Sequence, residues 1–270
     1  MRVIALLTAY NEELVMGPVL EHLIGQGVEI YVVDNESTDG TVEIARSYLG
    51  RGVVGVETLA RKGYFDLTSV LRREEQLARE LPGDWFIHHD ADEMRVAPPP
   101  YQTLKEGLEA AERSGYNAAE FQEFVFVPTK QEPNHEHEDF RRTMRHYYHY
   151  APKPLHRLNA WQRAEKAFTL RGGGSAHRVD IPGMRVFPQP FWLKHYICLS
   201  REHAIRKYCQ RQYSSEEIER GWHRKRAALR PEDIYLADQQ ELKEVKEDGV
   251  LDASQPLREH LLFQGSRSRS

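Results

Sequence analysis

The residues best suited to chemistry in this sequence are two aspartates in the string HHDADE, which spans residues 88–93 and follows a short hydrophobic run. Asp90 and Asp92 are two positions apart, so in an extended chain their side chains point toward a common side. Paired carboxylates suit a hard divalent ion such as Mg2+ or Mn2+, which commonly also takes phosphate oxygens from a substrate. The alternative is a loop of solvated acids. A position directly after a predicted strand favours the metal site, because open α/β sheets bind ligands there.

Asp34 is a second candidate, since it ends another hydrophobic run. A carboxylate at a strand tip accepts hydrogen bonds from a base N–H or a ribose hydroxyl. A turn-forming or helix-capping role is the alternative. The chain contains neither GxGxxG nor GxxxxGK[ST], which disfavours a nicotinamide dehydrogenase and a P-loop phosphotransferase. We expect a metal at Asp92, with Arg72 or Arg73, to hold phosphates instead, because guanidinium groups match phosphate oxygens.

These side chains require a framework of alternating strands and helices. Hydrophobic runs predict four strands, and amphipathic or capped segments between them predict helices, the first of them capped by Asn11 and ending at Gly25–Gly27. The strands are predicted at residues 3–7, 28–33, 53–59 and 85–88, and helices are predicted up to Tyr48 and over 68–81. Strands separated by helices imply a parallel sheet covered on both faces. The fold class is therefore α/β, with a Rossmann-like, mostly parallel sheet.

The rest of the chain is expected to complete this fold. Residues 103–114 predict a helix, and residues 117–127, 158–162 and 191–197 predict strands, with a glycine turn at 172–174. The polar, aromatic segment 134–154 predicts a long loop. From residue 201 the pattern is helical and charged, and the last six residues are expected to be disordered. We predict a nucleotide-binding half over 1–127, an acceptor-binding half over 128–200, and a helical C-terminal extension over 201–270.

Composition is that of a folded globular protein, with 270 residues, 40% hydrophobic residues and a net charge of −4. No apolar run reaches the length of a membrane span and no signal-peptide pattern opens the chain, so a cytoplasmic location is expected. Cys198 and Cys209 form no CxxC pattern, and we interpret them as packing thiols. Residues 1–125 carry 11 basic and 22 acidic side chains, whereas residues 141–178 carry nine basic ones against Glu165 alone. The basic segment either neutralises the acidic half within one fold or faces an anionic ligand, and both explanations stay open. Nucleic acid is not expected as a partner.

Three segments, in order, resemble the family 2 glycosyltransferases of the GT-A fold: TAYNEE, VVDNESTDGT and DWFIHHDADE, the last with the DxDE form known from bacterial members. The resemblance covers about residues 2–127. It implies that the first segment holds the nucleotide base, that Asp34 contacts the base or ribose, and that Asp90 and Asp92 form a DxD motif whose last aspartate binds the metal. The base-binding residues implied by the first segment are Thr8, Tyr10, Asn11 and Glu12.

The same resemblance suggests further ligands in the second half of the chain. His195 in LKHYICLS and His177 in GGGSAHRV are candidates for a third metal ligand or a diphosphate contact, with ordinary packing as the alternative for each. Members of the family carry an acidic catalytic base in the acceptor half. Glu123 and Asp139 are the two candidates for that role.

The function implied is metal-assisted transfer of a sugar, with Mn2+ or Mg2+, from a nucleotide diphosphate sugar to a hydroxyl group. A UDP-sugar donor and inversion at the anomeric carbon are expected from the resemblance. The acceptor is a glycan, a lipid-linked molecule or a small molecule, and aromatic residues such as Trp161 and Tyr147 are expected either to cover sugar faces or to form core.

Two other functions stay open, together with contact to a membrane surface. A sugar nucleotidyltransferase shares carboxylate-bound magnesium, but its glycine-rich basic loop is replaced here by the acidic TAYNEE. A non-catalytic nucleotide-binding module of the same fold is the other alternative. Residues 201–230 hold nine basic and four acidic side chains, which fits either peripheral contact with the inner membrane face or a solvated helical surface.

Overall fold

A computed structural model of the chain describes residues 1–137, 139–164, 169–170, 178–219, 221, 223–247 and 249–264. The chain divides into two compact units. The first comprises Met1–Lys62, Asp66–Phe121 and Leu155–Leu193. The second comprises Gly63–Phe65, Gln122–Pro154 and Lys194–Ser270.

The strands and α-helices are numbered in chain order. The strands are β1 (Val3–Ala9), β2 (Glu29–Asp34), β3 (Val53–Thr58), β4 (Trp85–Asp90), β5 (Glu93–Val96), β6 (Ala118–Phe126), β7 (His146–Tyr150), β8 (Leu158–Gln162), β9 (Thr169–Leu170), β10 (Val179–Asp180), β11 (Phe191–Tyr196) and β12 (Lys243–Glu244). The helices are α1 (Glu13–Gly25), α2 (Thr41–Ser47), α3 (Leu67–Glu80), α4 (Leu104–Arg113), α5 (Phe140–Thr143), α6 (Arg201–Ala204), α7 (Ser215–Glu219) and α8 (Arg224–Ala227).

The first unit is built on a largely parallel sheet. Its parallel strands lie in the order β3-β2-β1-β4, and β8 pairs antiparallel with β4. Strand β1 is buried along almost its whole length, which is why it reads as a continuous run of apolar residues instead of an alternating one. Helices α1 to α4 alternate with these strands along the chain. The predicted α/β class is confirmed.

Local signals place most helix ends close to the prediction, with one exception. The Asp66 side chain caps α3 by accepting the Ser69 N–H, and Thr103 caps α4 in a capping box. Asn11, however, does not cap α1, because the N-cap residue is Glu12. Asn11 has a φ of +55°, and its Oδ1 accepts the Thr38 N–H at 2.8 Å. Its amide therefore joins the loops after β1 and β2 and does not start the helix.

The second unit contains an antiparallel sheet in which β7 pairs with the later residues of β6 and with β12. The prediction of one long loop over 134–154 is wrong, because α5 and β7 both lie inside it. Tyr147, Tyr148 and His149 are consecutive and all buried. Burial on both faces removes the alternation of apolar and polar residues by which a strand is detected.

Helices do follow residue 201, but in the described residues they are short. None exceeds five residues, and Ile205–Cys209 is a π-helix. Tyr208 is buried and Ile205 packs against the same hydrophobic cluster, so two apolar residues of the segment considered for membrane contact lie in protein. Among the described residues, no helix combines the length and apolar character needed to cross a membrane. The predicted glycine turn at 172–174 and the last six residues lie outside the described residues.

Candidate active site

The candidate site begins at the carboxyl ends of three adjacent parallel strands in the first unit. Ala9 of β1 is in register with Asp34 of β2, and Thr8 of β1 is in register with Asp90 of β4. Neighbouring strands lie about 4.8 Å apart, so the ends of β2 and β4 lie on either side of β1. This edge of a parallel sheet is where open α/β folds bind ligands.

Asp34 is almost completely buried and uses only one of its two oxygens. It is 1% exposed, and its Oδ2 accepts the Ser37 N–H at 3.0 Å. Its Oδ1 is enclosed and accepts no hydrogen bond from the described residues. The adjacent Asn35 donates through Nδ2 to Leu59 O at 2.9 Å, and the described residues offer no donor to its Oδ1 either. A buried acceptor without a donor costs about 1–3 kcal/mol, so a ligand N–H or O–H is favoured at both oxygens.

The loop after β1 is held against the segment that follows β2. The Glu12 N–H donates to Thr41 Oγ1 at 2.8 Å, and Glu12 is buried. The guanidinium carbon of Arg61 lies 3.6 Å from the centroid of the Tyr10 ring, and the Arg61 N–H donates to Glu36 at 2.7 Å. Tyr10 follows Ala9, the register partner of Asp34, and its ring has a cation stacked on it.

The two aspartates of the DxD motif do not lie in one extended strand. Asp90 is the last residue of β4, Ala91 and Asp92 form a turn, and β5 starts at Glu93. The expectation that alternation in an extended chain orients both carboxylates is therefore wrong. Their environments differ, because Asp92 is 5% exposed whereas the Asp90 side chain is 39% exposed.

A set of buried charges surrounds Asp90. Glu93 and Arg95 form an ion pair, and Arg157 Nη1 lies 3.0 Å from Glu93 Oε1. Burial and the nearby Glu93 carboxylate raise the pKa of Asp90. Arg157 belongs to the basic segment 141–178, so part of that excess charge neutralises a buried acid of the same unit.

On the other side of Asp90, a buried histidine is paired with a buried glutamate. His88 Nδ1 lies 2.7 Å from Glu74 Oε2, and Glu74 Oε1 accepts the Thr8 hydroxyl at 3.0 Å. Burial alone lowers the pKa of His88, but the charge and hydrogen bond of Glu74 outweigh burial and raise it. Thr8 therefore contacts a buried network, in addition to its predicted place in the base site.

The residues present fit a hard divalent cation, although only in part. Asp90 and Asp92 offer carboxylate oxygens at a strand end, the ligand type that Mg2+ and Mn2+ take. No group of three or more His, Cys, Asp or Glu side chains converges on one point within the described residues. A cation held by these two aspartates would therefore be one that keeps water and takes phosphate oxygens, as Mg2+ does.

The two arginines predicted to hold phosphates, both on α3, differ in their carboxylate partners and in their exposure. Arg73 Nε lies 2.6 Å from Glu57 Oε1, and its Nη1 lies 3.2 Å from Glu80 Oε2. These carboxylates, Glu57 first, raise the pKa of Arg73 further above its ordinary value. Arg72 is exposed. Of the two, Arg72 is the one whose guanidinium group has no described carboxylate partner.

In the second unit, the structure joins two of the predicted residues. His195 Nδ1 lies 2.6 Å from Glu123 Oε1, and the two residues are 6% and 1% exposed. Asp139 precedes α5 and is exposed, and its side chain does not cap that helix. His177 lies outside the described residues.

The sequence alone did not predict Glu74, Arg157 or Arg61 as site residues. Glu74 carried a signal, because it lies on the buried stripe of α3 with Val70, Leu71 and Leu77, and a carboxylate there needs a partner. Arg157 and Arg61 carried none, since their partners are distant in the chain or belong to a loop.

Comparison with known proteins assigns the family. A model described as "Glycosyl transferase family 2" matches residues 5–171, well over half of the chain. The chain belongs to glycosyltransferase family 2. Its fold is the GT-A fold predicted from the sequence.

Solved structures with some likeness include two proteins. S. aureus TarS is 14% identical over 73% of this chain and 37% of that one, with a TM-score of 0.42. Its 1–349 fragment in complex with UDP-GlcNAc is 19% identical over 48% of this chain and 35% of that one, with a TM-score of 0.34. Glucosyl-3-phosphoglycerate synthase from Mycobacterium tuberculosis, in complex with Mn2+, UDP and phosphoglyceric acid, is 20% identical over 48% of this chain and 43% of that one, with a TM-score of 0.30. The chain thus spans less than half the length of each. No curated protein sequence matches it.

Proposed function

We propose that this protein transfers a sugar from a nucleotide diphosphate sugar to a hydroxyl group. The observation that carries the proposal is the register at the sheet edge, where β1 separates Asp34, with its unpartnered buried oxygen, from Asp90. One end of this edge is suited to a donor group on a nucleoside, and the other to a diphosphate. Membership of glycosyltransferase family 2 supports the same activity.

The nucleoside end favours a base that carries an N–H group. Asp34 Oδ1 and Asn35 Oδ1 are acceptors without a described donor, and the imide N–H of uracil is a donor of the kind that they need. The Tyr10 ring supplies a stacking surface of the kind that nucleobases use. A UDP-sugar is therefore the proposed donor, and two of the similar structures hold UDP or UDP-GlcNAc.

At the diphosphate end, Asp90 and Asp92 are the proposed ligands of Mn2+ or Mg2+. When bound, such a cation neutralises the negative charge that develops on the leaving diphosphate. Asp92 is the more enclosed of the two carboxylates and Asp90 the more accessible one. Arg72, exposed on α3, is the proposed additional phosphate contact, because Arg73 is held by Glu57.

The acceptor hydroxyl requires a base that it can reach. Glu123 is buried and its Oε1 is held by His195, whereas Asp139 is exposed. We therefore propose Asp139 as the general base and a positioning role for Glu123, with inversion at the anomeric carbon. Tyr147 and Trp161 are core residues. Tyr150, in the same unit as Asp139, is partly exposed, so it is the aromatic residue proposed to cover a glycan, lipid-linked or small acceptor.

A panel of nucleotides tests the proposed function. The melting temperature is measured with UDP, GDP, CDP and dTDP, each with MnCl2 or with EDTA, because a ligand that binds only the folded state raises it. We expect the largest rise with UDP and MnCl2, and a smaller rise with UDP and EDTA. If no nucleotide raises the melting temperature under either condition, the proposal is wrong.

A further inference from the structure

The carboxylate of Asp90 lies between two buried side chains, those of His88 and Arg157, at equal distances. His88 Nε2 is 4.0 Å from Asp90 Oδ1, and Arg157 Nη1 is 4.0 Å from Asp90 Oδ2. Both distances are longer than a direct hydrogen bond. Neither nitrogen therefore occupies a lone pair of Asp90 that a ligand needs.

Each of these two side chains is itself fixed by a buried glutamate. His88 is bonded to Glu74 at 2.7 Å, and Arg157 lies 3.0 Å from Glu93. All four side chains are at most 3% exposed. Buried polar and charged groups are stable only when they are paired, so the two glutamates explain how the His88 imidazole and the Arg157 guanidinium group are held beside Asp90.

The network also joins three elements of the first unit. Glu74 on α3 accepts the Thr8 hydroxyl of β1 and contacts His88 of β4, while Arg157 precedes β8. His88 thus lies on a packed strand, and Arg157 lies in the turn before β8, where its backbone oxygen accepts the Phe121 N–H of β6 at 3.0 Å. Rigid support of this kind is what a ligand-binding group needs to keep its geometry.

The Asp90 carboxylate is not bonded directly to the network beside it. Glu74 pairs with His88, and Glu93 lies against both Arg95 and Arg157, so one carboxylate faces two guanidinium groups. Asp90 is the partly exposed member, and although its backbone N–H donates to Glu93 at 3.4 Å, its carboxylate oxygens lie 4.0 Å from His88 and from Arg157. The geometry is that of a group held in position for something outside the network.

We propose that His88 and Arg157 are positioning residues that hold the Asp90 carboxylate ready for a divalent cation and its diphosphate. Glu74 and Glu93 act through them. This inference rests on the proposed function, since it takes Asp90 to be part of the donor site.

The test separates metal-dependent from metal-independent binding of UDP. His88→Asn is the main variant, because the asparagine Nδ2 replaces the His88 Nδ1 donor to Glu74 while the nitrogen that faces Asp90 is lost. His89→Asn is the matched control. His89 is equally buried and its Nδ1 bonds to the Asp90 backbone oxygen at 2.7 Å, so it bears on the backbone and not on the carboxylate. Dissociation constants for UDP are measured by calorimetry with MnCl2 and with EDTA.

We expect His88→Asn to weaken binding of UDP in MnCl2 about tenfold, with little change in EDTA, and His89→Asn to change neither constant. Arg157→Gln is expected to act as His88→Asn does, and Arg157→Lys to recover part of the loss because the charge remains. Unchanged affinity of His88→Asn and Arg157→Gln in MnCl2 overturns the inference, as does equal weakening in EDTA, which is the result of general damage to the fold.

If His88→Asn does not fold, Arg157→Gln and Arg157→Lys carry the test, and the same split between MnCl2 and EDTA is expected from Arg157→Gln. A wild-type protein that binds no UDP under either condition contradicts the proposed function itself. If instead the wild type binds UDP and the variants bind it equally well, only the inference about His88 and Arg157 is contradicted.

Discussion

The imidazole of His195 is held by the carboxylate of Glu123, with 2.6 Å between Nδ1 and Oε1, and both side chains are buried. Strands β6 and β11 bring together residues that are 72 positions apart in the chain. A buried histidine that loses its acceptor keeps the cost of its desolvation. The pair is therefore expected to contribute measurably to the stability of the second unit.

Glu123→Ala is expected to lower the free energy of unfolding by about 1–3 kcal/mol, because it leaves a buried imidazole N–H without its acceptor. Glu123→Gln keeps an acceptor oxygen and is expected to cost less. Urea denaturation at pH 7.5 measures both. Equal stability of Glu123→Ala and the wild type would show that the bond contributes nothing.

Asp139→Asn is expected to lower kcat by about 100- to 10,000-fold, the usual contribution of a general base. The melting temperature should be almost unchanged, since the side chain is exposed and caps no helix. Glu123→Gln is the matched comparison and should retain more activity. Transfer from a UDP-sugar, once an acceptor is known, provides the rate. A large loss in Glu123→Gln with none in Asp139→Asn would reverse the two assignments.

Asp34→Ala should weaken UDP binding in EDTA by about 10- to 100-fold, because the buried oxygen that accepts from the base is removed. Asp84→Ala is the control. Asp84 precedes β4 at the opposite edge of the sheet, where its Oδ2 accepts the Arg2 N–H at 2.6 Å. Calorimetry with UDP measures both constants, and the idea fails if the two variants bind equally well.

The stability of the protein should fall in mild acid, in part because of His223. Its side chain is 5% exposed, and burial, followed by the charges of Arg226 and Arg211, lowers its pKa to about 4. Between pH 6.5 and about 4 the unfolded chain binds a proton that the folded one does not, so stability decreases as the pH falls through this window. At pH 5 the loss is about 1–2 kcal/mol for this group.

His223→Phe tests this expectation. The phenyl ring keeps the stacking of His223 on Tyr213, whose ring lies 4.9 Å away, and it has no titrating group. The difference in the free energy of unfolding between pH 7.5 and pH 5.0 should be smaller in the variant than in the wild type. An identical difference would mean that His223 does not contribute.

Local patterns predicted most of the framework. The apolar runs of β1, β2 and β4 and the helical patterns of α3 and α4 depend only on neighbours in the chain, so their predicted bounds agree closely with the structure. Strand β7 was not predicted, because a local pattern can indicate a strand only where apolar and polar residues alternate. Its consecutive buried residues leave no alternating pattern to detect.

The sequence by itself determined which edge of the sheet carries acidic side chains, because strands of a parallel sheet all end at the same edge. Only the tertiary structure decided what surrounds Asp90. The bond of Glu74 to His88 joins α3 to β4, and the approach of Arg157 spans 67 positions from Asp90. Electrostatic contacts between distant positions depend on distances of a few ångströms and on burial. Both are set when the elements pack, and neither has a pattern along the chain.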